Sequence, residues 1–208
     1  MLQIFGVPIY QARMHLHLQI KEKFENELDN DWFIRLWKNS TGSTTFNTEN
    51  LKGKDFIQEI EDCVWNNFDH YLAQIQTLPW IRQRGVHRGE YQMRNTWINK
   101  YSTGDTQEIH NHLNASFSWV YFLQQPESGG STMYFYNGTS RHDDRQLGLS
   151  NRFKPQQQEG DLVIFPGYLN HFITPNESGE KRYTVAGNLK FCGDLKLSPR
   201  EKFSDGLI

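Results

Sequence analysis

The sequence predicts a mainly β domain with a few helices, a jelly-roll type barrel of two facing sheets with helices packed outside one of them. Three observations carry this expectation. Helical periodicity is confined to the first half of the chain. From about Trp80 onward, short runs of aromatic and β-branched residues alternate with Gly, Pro, Asn and Asp punctuation. Many short strands after a few helices suit a sandwich or barrel rather than a parallel α/β sheet.

Taken in order, Met1–Tyr10 lacks the basic lead, long apolar core and small-residue cleavage site of a signal peptide and reads as a first strand. Ile20, Phe24 and Leu28 recur every fourth residue and predict one helix. Ile57, Ile60, Val64, Phe68, Tyr71, Leu72 and Ile75 keep the three-and-four spacing of a second, longer one. Between them Asn39–Thr45 is small and polar, the composition of a surface loop. Strands are expected at Tyr91–Tyr101, Phe117–Leu123, Thr132–Tyr136, Asp161–Phe165, Phe172–Thr174 and Arg182–Phe191, with turns at Ser102–Asp105, Ser128–Gly130 and Asn176–Gly179. Trp32, Trp37, Trp65 and Trp80 are expected to pack the helices against the sheet. There is no internal repeat, and the whole chain, 1–208, suits a single domain, with 1–90 as the first strand and supporting helices and 91–195 as the barrel core.

Composition narrows the function. A net charge of −2 and a pI near 6.4 argue against an electrostatically driven nucleic-acid binder, although Arg82, Arg84, His87, Arg88 and Arg94 form a local basic run. No stretch approaches eighteen consecutive apolar residues, so no membrane span is expected. Cys63 and Cys192 are far apart and lack partners at metal spacing, which suits buried or free thiols and a cytoplasmic location.

The chemistry centres on histidine. His110-Asn111-His112 ends a strand-like stretch, and residues two apart on a strand face the same side, so both imidazoles can reach one ion while Asn111 aims away. His171, just after the strand-like run Gly160–Pro166, is the candidate third ligand. Three ligands on one face of an octahedron leave open positions, which is the arrangement of a catalytic rather than a structural metal. His15 and His17 share the spacing but have no matching downstream elements, so they are not expected to bind metal, and His70 and His87 are expected on ordinary surface or helix faces. No Ser/His/Asp or Cys/His arrangement is evident.

From Trp97 to Asn188 the order of these elements resembles the iron(II)- and 2-oxoglutarate-dependent oxygenases, most closely a branch found in phages and bacteria. Asn99-Lys100-Tyr101 matches the strand that precedes the first metal histidine, and His110-Asn111-His112 stands at the family's His-x-carboxylate. Trp119–Leu123 is similar to the strand that follows, Gly129-Gly130 with Met133–Phe135 to the next hairpin, and Gly160–Pro166 to the strand feeding His171. Arg182, eleven residues beyond His171, occupies the place of the arginine for the cosubstrate's remote carboxylate. A guanidinium meets a carboxylate with two parallel hydrogen bonds, which lysine does not reproduce. Outside this context Arg182 would be read as a surface partner of Glu180.

The resemblance implies a double-stranded β-helix (cupin-like) core and an enzyme, a hydroxylase of the dioxygenase type. It implies Fe(II) as metal, with 2-oxoglutarate and O2 consumed and succinate and CO2 released. It implies His110, His112 and His171 as metal ligands, and Asn99, Tyr101, Arg182, Thr184 and Asn188 as cosubstrate residues. Trp97, Trp119 and Tyr121 either wall a substrate pocket or pack the core. Asn111 or Asn170 would orient the imidazoles. The substrate is unidentified, a protein side chain or small molecule being favoured over nucleic acid, with specificity in loops such as Gly138–Gln158. A homodimer is open to the chain through the exposed edge of its first strand.

The departure from the family is His112, where a carboxylate is usual. Three outcomes are open: His112 ligates, a carboxylate such as Asp105, Glu108, Asp143 or Asp144 replaces it, or oxygenase activity has been lost. A 2-oxoglutarate-independent three-histidine dioxygenase and a non-enzymatic metal-binding or interaction module are the alternatives.

Overall fold

The alternation of buried residues along the central strands builds two cores, one on each face of a single sheet. The computed structural model describes residues 6–36, 39–78, 88–127, 130–136 and 151–193. Its elements are β1 (Tyr10–Arg13), α1 (His17–Glu27), β2 (Ile34–Arg35), β3 (Ser43–Thr44), α2 (Asp55–Ile75), β4 (Tyr91–Tyr101), β5 (Gln107–His110), β6 (Phe117–Gln124), β7 (Met133–Tyr136), β8 (Arg152–Phe153), β9 (Asp161–Pro166), β10 (His171–Ile173) and β11 (Arg182–Phe191), with short 3-10 turns at Asn30–Trp32 and Arg88–Glu90. Seven strands form a large sheet in the order β1-β9-β6-β11-β4-β3-β2, and four form a small one in the order β5-β10-β7-β8. Every pairing is antiparallel.

On β6, Trp119, Tyr121 and Leu123 join the core beneath the helices, whereas Val120 and Phe122 join the core between the sheets. On β9, Leu162 and Ile164 take the helix side and Val163 and Phe165 the inner side. The predicted helical stripes do cover the first face: Ile20 and Phe24 of α1 and Phe56, Ile60, Val64 and Phe68 of α2 are fully buried. Phe24 meets Phe56 and Tyr183 with ring centroids 6.0 and 5.1 Å apart, and Phe68 meets Tyr91 and Phe117 at 5.0 and 5.2 Å. Each such ring is worth roughly 1.5–3 kcal/mol when removed from water, so the helices are anchored chiefly by aromatic burial.

Several expectations shift. The first strand runs Tyr10–Arg13 rather than over Met1–Tyr10, because Ala12 and its neighbours find partners at Asp161–Ile164 while Pro8, lacking an N–H, lies before the ladder. Residues 1–5 lie outside those described. The polar segment Asn39–Thr45 is not merely a surface loop: Ser43 and Thr44 pair with Lys100 and Asn99, and Ser40, Thr44 and Thr45 are buried. Ser102–Asp105 is the predicted turn, closed by Asp105 N–H to Ser102 O at 3.0 Å with Gly104 at φ +82°. Trp32 and Trp65 do pack beside the helices, while Trp37, Trp80, Arg82, Arg84, His87, Ser128 and Gly129 lie outside the described residues. Among the described residues no helix is long and apolar enough to cross a membrane.

Candidate metal centre and cosubstrate pocket

Strand register assembles the histidines. His110 of β5 stands directly opposite His171 of β10, and directly opposed side chains of an antiparallel pair share a face. Their ring centroids are 4.2 Å apart. β5 ends at His110, so the two histidines of the pair do not share a strand as their spacing suggests. His112 sits instead in the turn that follows, its N–H donating to Gly167 O at 2.7 Å and its carbonyl accepting from Ala115 N–H at 2.8 Å. Gly167 permits this approach, since a Cβ there would lie 2.4 Å from Ala115 O and 2.8 Å from His112 O. The turn still delivers the His112 ring, 5.3 Å from that of His110 and 5.2 Å from that of His171. One ligand nitrogen from each of the three lies within 4.8 Å of the others.

The tautomers are set by the backbone. His110 Nδ1 lies 2.8 Å from Glu108 O and His171 Nδ1 lies 3.0 Å from Leu169 O. A carbonyl only accepts, so both rings carry the proton on Nδ1 and keep Nε2 free for a metal. Asn111 and Asn170, expected to orient these rings, bond to each other instead, Nδ2 to Oδ1 at 2.8 Å. Burial pushes all three imidazoles below the usual histidine range: His110 against an opposing backbone hydrogen bond, His112 to about 4 with help from His110, and His171 well down with help from both neighbours. Neutral imidazoles are the metal-binding form.

Among the described residues no carboxylate joins this cluster. Asp105 Oδ2 accepts from Ser102 N–H and Glu108 Oε1 from Asn39 Nδ2. Asp143 and Asp144 lie outside the described residues.

A cavity of about 500 Å³ opens beside the cluster, lined by the three histidines and by Trp97, Asn99, Tyr101, Thr184 and Asn188. The β4–β11 register explains the grouping: Tyr101 pairs with Arg182 and Asn99 with Thr184, so the four residues form a two-by-two patch on the inner face. Asn188 accepts from Ser118 Oγ at 2.8 Å. Tyr101 donates its hydroxyl to Gln107 Oε1 at 2.6 Å, and Gln107 Nε2 lies 3.4 Å from His110 Nε2. Gln107, which the sequence did not single out, thus ties the patch to the metal cluster.

Arg182 is fully buried, one ring removed from the cavity: its guanidinium lies 5.3 Å from the Tyr101 ring and 5.5 Å from that of Phe122. Nε donates to Gln125 Oε1 at 3.1 Å, while Nη1 and Nη2 have no partner. Burial lowers its pKa to about 10, against a raising influence from Tyr101. No ion pair joins it to Glu180, whose carboxylate accepts from Glu127 N–H. A buried cation with two unpaired donors is costly, and a carboxylate supplies the acceptors they lack. Asn99 Oδ1, in the same patch, is also buried and unpartnered.

Of the three candidate pocket aromatics, only Trp97 presents its ring to the cluster, 5.8 Å from His112. Trp119 borders the cavity, but its ring is fully buried on the helix side, with Nε1 3.3 Å from Met93 Sδ, where a Cβ on Gly187 would strike it. Tyr121 is a correction: strand alternation turns it to the helix face, where its hydroxyl lies 2.7 Å from His17 Nδ1.

Residues 95–188, a little under half of the chain, match the family model described as "Putative 2OG-Fe(II) oxygenase". The matched stretch is similar to the core of the 2OG-Fe(II) oxygenases. It spans all three histidines and the patch of Asn99, Tyr101, Arg182 and Thr184. The fold agrees across nearly the full described structure. A prolyl-4-hydroxylase from Pseudomonas putida superposes with a TM-score of 0.59 at 11% identity, covering 89% of this chain and 94% of that one. A prolyl hydroxylase from Trichoplax adhaerens, bound to a peptide fragment of hypoxia inducible factor, gives 0.58 at 12%, covering 88% and 83%. The epimerase SnoN of nogalamycin biosynthesis, in complex with Fe3+ and α-ketoglutarate, gives 0.60 at 10%, covering 89% and 79%. At these identities the likeness is one of fold. No curated protein sequence matches significantly.

Proposed function

We propose that this oxygenase core holds iron(II) through His110, His112 and His171 and binds 2-oxoglutarate between that metal and Arg182. The observation that carries the proposal is the pairing, within one barrel, of three convergent imidazoles with a buried guanidinium whose two Nη atoms have no partner. When bound, iron and 2-oxoglutarate supply the oxidising chemistry: dioxygen is split between the substrate, as a new hydroxyl, and succinate, with CO2 released.

The chain's own residues place and shield these groups. The backbone carbonyls of Glu108 and Leu169 hold His110 and His171 with Nε2 unprotonated, and Gly167 holds the His112 turn against β9. Arg182 grips the remote carboxylate of the cosubstrate, with Thr184, Asn99 and Tyr101 beside it and Asn188 further along the cavity. Phe122, Met133, Phe165 and Ile173 exclude water from this end of the barrel. With Arg182 taking the remote carboxylate, three neutral ligands would leave the ion's full charge to attract the other one, so His112 would favour 2-oxoglutarate binding where a carboxylate ligand would weaken it.

The described cavity lining carries one ionisable side chain besides the histidines and Tyr101, Glu108, and no lysine or arginine. Beyond the proposed iron and Arg182, the described lining offers no further cation to a phosphate-bearing substrate. An uncharged group suits it, either a protein side chain, as in the peptide-bound hydroxylase of like fold, or a neutral small molecule. The exposed thiol of Cys192 and the buried one of Cys63 suit a cytoplasmic enzyme.

Anaerobic titration of the Fe(II)-loaded protein with 2-oxoglutarate should produce a visible charge-transfer band, and admission of oxygen should then yield succinate. Iron binding with neither band nor succinate would reject this reading and leave a 2-oxoglutarate-independent three-histidine dioxygenase or a non-enzymatic metal-binding module.

A further inference from the structure

Arg182 is held from behind by a chain of polar contacts reaching the surface helix α1. Its Nε donates to Gln125 Oε1 at 3.1 Å. The backbone N–H of Gln125 donates to Glu159 Oε2 at 3.0 Å. Glu159 Oε1 in turn accepts from Lys21 Nζ at 2.6 Å and faces His17 Nε2 at 3.3 Å. Four segments meet here: α1, the end of β6, the approach to β9 and the start of β11. Gly160, at φ +92°, allows the crowding, since a Cβ there would lie 3.0 Å from the His17 ring.

The arrangement has a direction. A guanidinium rotates easily about its long side chain, and here only Nε is engaged while both Nη atoms are left for another partner. Fixing Nε fixes the plane of the fork, and a bidentate carboxylate contact depends on that plane. Gln125 is suited to the task because it is neutral: it accepts from Nε without cancelling the charge that a carboxylate ligand needs. Glu159 anchors the Gln125 backbone rather than the guanidinium, so its own charge is satisfied by Lys21.

We propose that Gln125 and Glu159 are positioning residues that aim the Nη atoms of Arg182 at the carboxylate of a dicarboxylate cosubstrate, through the Arg182–Gln125–Glu159–Lys21 contact chain. This rests on the reading of Arg182 as the cosubstrate arginine, and the test separates the two. The holoprotein, loaded anaerobically with Fe(II), is titrated with 2-oxoglutarate by calorimetry, and its melting temperature is recorded without cosubstrate. Gln125→Ala and Glu159→Gln should each weaken 2-oxoglutarate binding about tenfold, the size of one hydrogen bond to a charged group, with iron occupancy unchanged. In turnover the KM for 2-oxoglutarate should rise with kcat little altered.

Gln125→Glu distinguishes positioning from support. It keeps the acceptor and adds a charge to a buried arginine, so the protein should melt no lower while 2-oxoglutarate binding still falls. Lys54→Ala, which removes contacts to Glu27 and Trp32 and none to Arg182, should lower the melting temperature and leave cosubstrate affinity alone. If Arg182→Met abolishes 2-oxoglutarate binding while the Gln125 and Glu159 variants bind it as tightly as the parent, the positioning role is overturned. If Arg182→Met itself binds normally, the assignment of Arg182 falls, and the positioning role with it.

Discussion

The chain contains two His-x-His pairs, His15-Leu16-His17 and His110-Asn111-His112, and the structure gives them opposite fates. His17 is buried on the helix side, its ring spent between Tyr121 and Glu159, while His15 is exposed. His110 and His112 converge on His171, with two of the three rings pinned through Nδ1 so that Nε2 is available. Spacing is therefore the weaker part of the signal. What separates the pairs is whether strand pairing brings a third imidazole opposite, and whether each ring's other nitrogen is satisfied by something that leaves the metal-facing one free.

The largest test of that contrast removes the cross-strand partner. His171→Ala should lower Fe(II) or Co(II) affinity by more than about a hundredfold, beyond what losing an outer-shell partner of a ligand costs, and abolish succinate formation. His15→Ala should change neither. Equal metal affinity in His171→Ala and the parent, measured by anaerobic titration, would dissolve the distinction between the two pairs.

His112 supplies the next step. As the ligand borne on a turn rather than a strand, its removal in His112→Ala should weaken the metal by somewhat less, about ten- to a hundredfold by analogy with outer-shell losses. His112→Asp, which places a carboxylate there, should retain the metal but bind 2-oxoglutarate more weakly, since the ion's charge is then partly cancelled. Full metal occupancy in His112→Ala would show that two imidazoles suffice and that His112 is a bystander. A smaller effect on metal is expected from Gly167→Ala. Its Cβ would fall 2.4 Å from Ala115 O, so the His112 turn must shift, at a cost of about 1–3 kcal/mol in stability and less than about tenfold in metal affinity. Denaturant titration and metal binding on the same variant measure both.

The same contrast explains what the sequence could reveal. β4, β6, β9 and β11 were legible because aromatic and β-branched residues recur between stretches of Gly, Pro, Asn and Asp punctuation, and the limits of β4 and β11 agree with the expectation to the residue. β2, β3 and β8 were missed because two-residue strands exist only through their partners, and Thr44 looks like any loop threonine until it meets Asn99. Tyr121 was misplaced for a related reason. With both faces of the large sheet covered, β6 reads as continuous hydrophobic sequence, and parity along it does not say which side holds the cavity. The histidines and Arg182 were found through motif order, but Gln107, Gln125 and Gly167 carry no local mark. Their roles depend on Tyr101, Arg182 and Ala115, and a glutamine or glycine is too common for its spacing to announce such contacts.

The smallest effect on metal is expected at His17, where the contrast becomes one of stability and pH. His17→Ala leaves the buried Tyr121 hydroxyl without its partner, a cost of about 1–3 kcal/mol, with iron affinity unchanged. Glu159, which shares that ring, has its pKa lowered below its ordinary 4.5: burial acts to raise it, but the hydrogen bonds from Lys21 and from Gln125 N–H, the charge of Lys21 and the contact with His17 together prevail. A carboxylate held below its unfolded value contributes stability that is fully present above that value and disappears as pH falls through the folded one. The melting-temperature gap between the parent and Glu159→Gln should therefore be widest near neutrality and close progressively below pH 4.5. A gap that persisted unchanged into acid would mean that Glu159 gains nothing from being ionised in the folded protein. His17 would then be held by Tyr121 alone, and the first His-x-His pair would owe its burial to aromatic packing rather than to the polar knot behind Arg182.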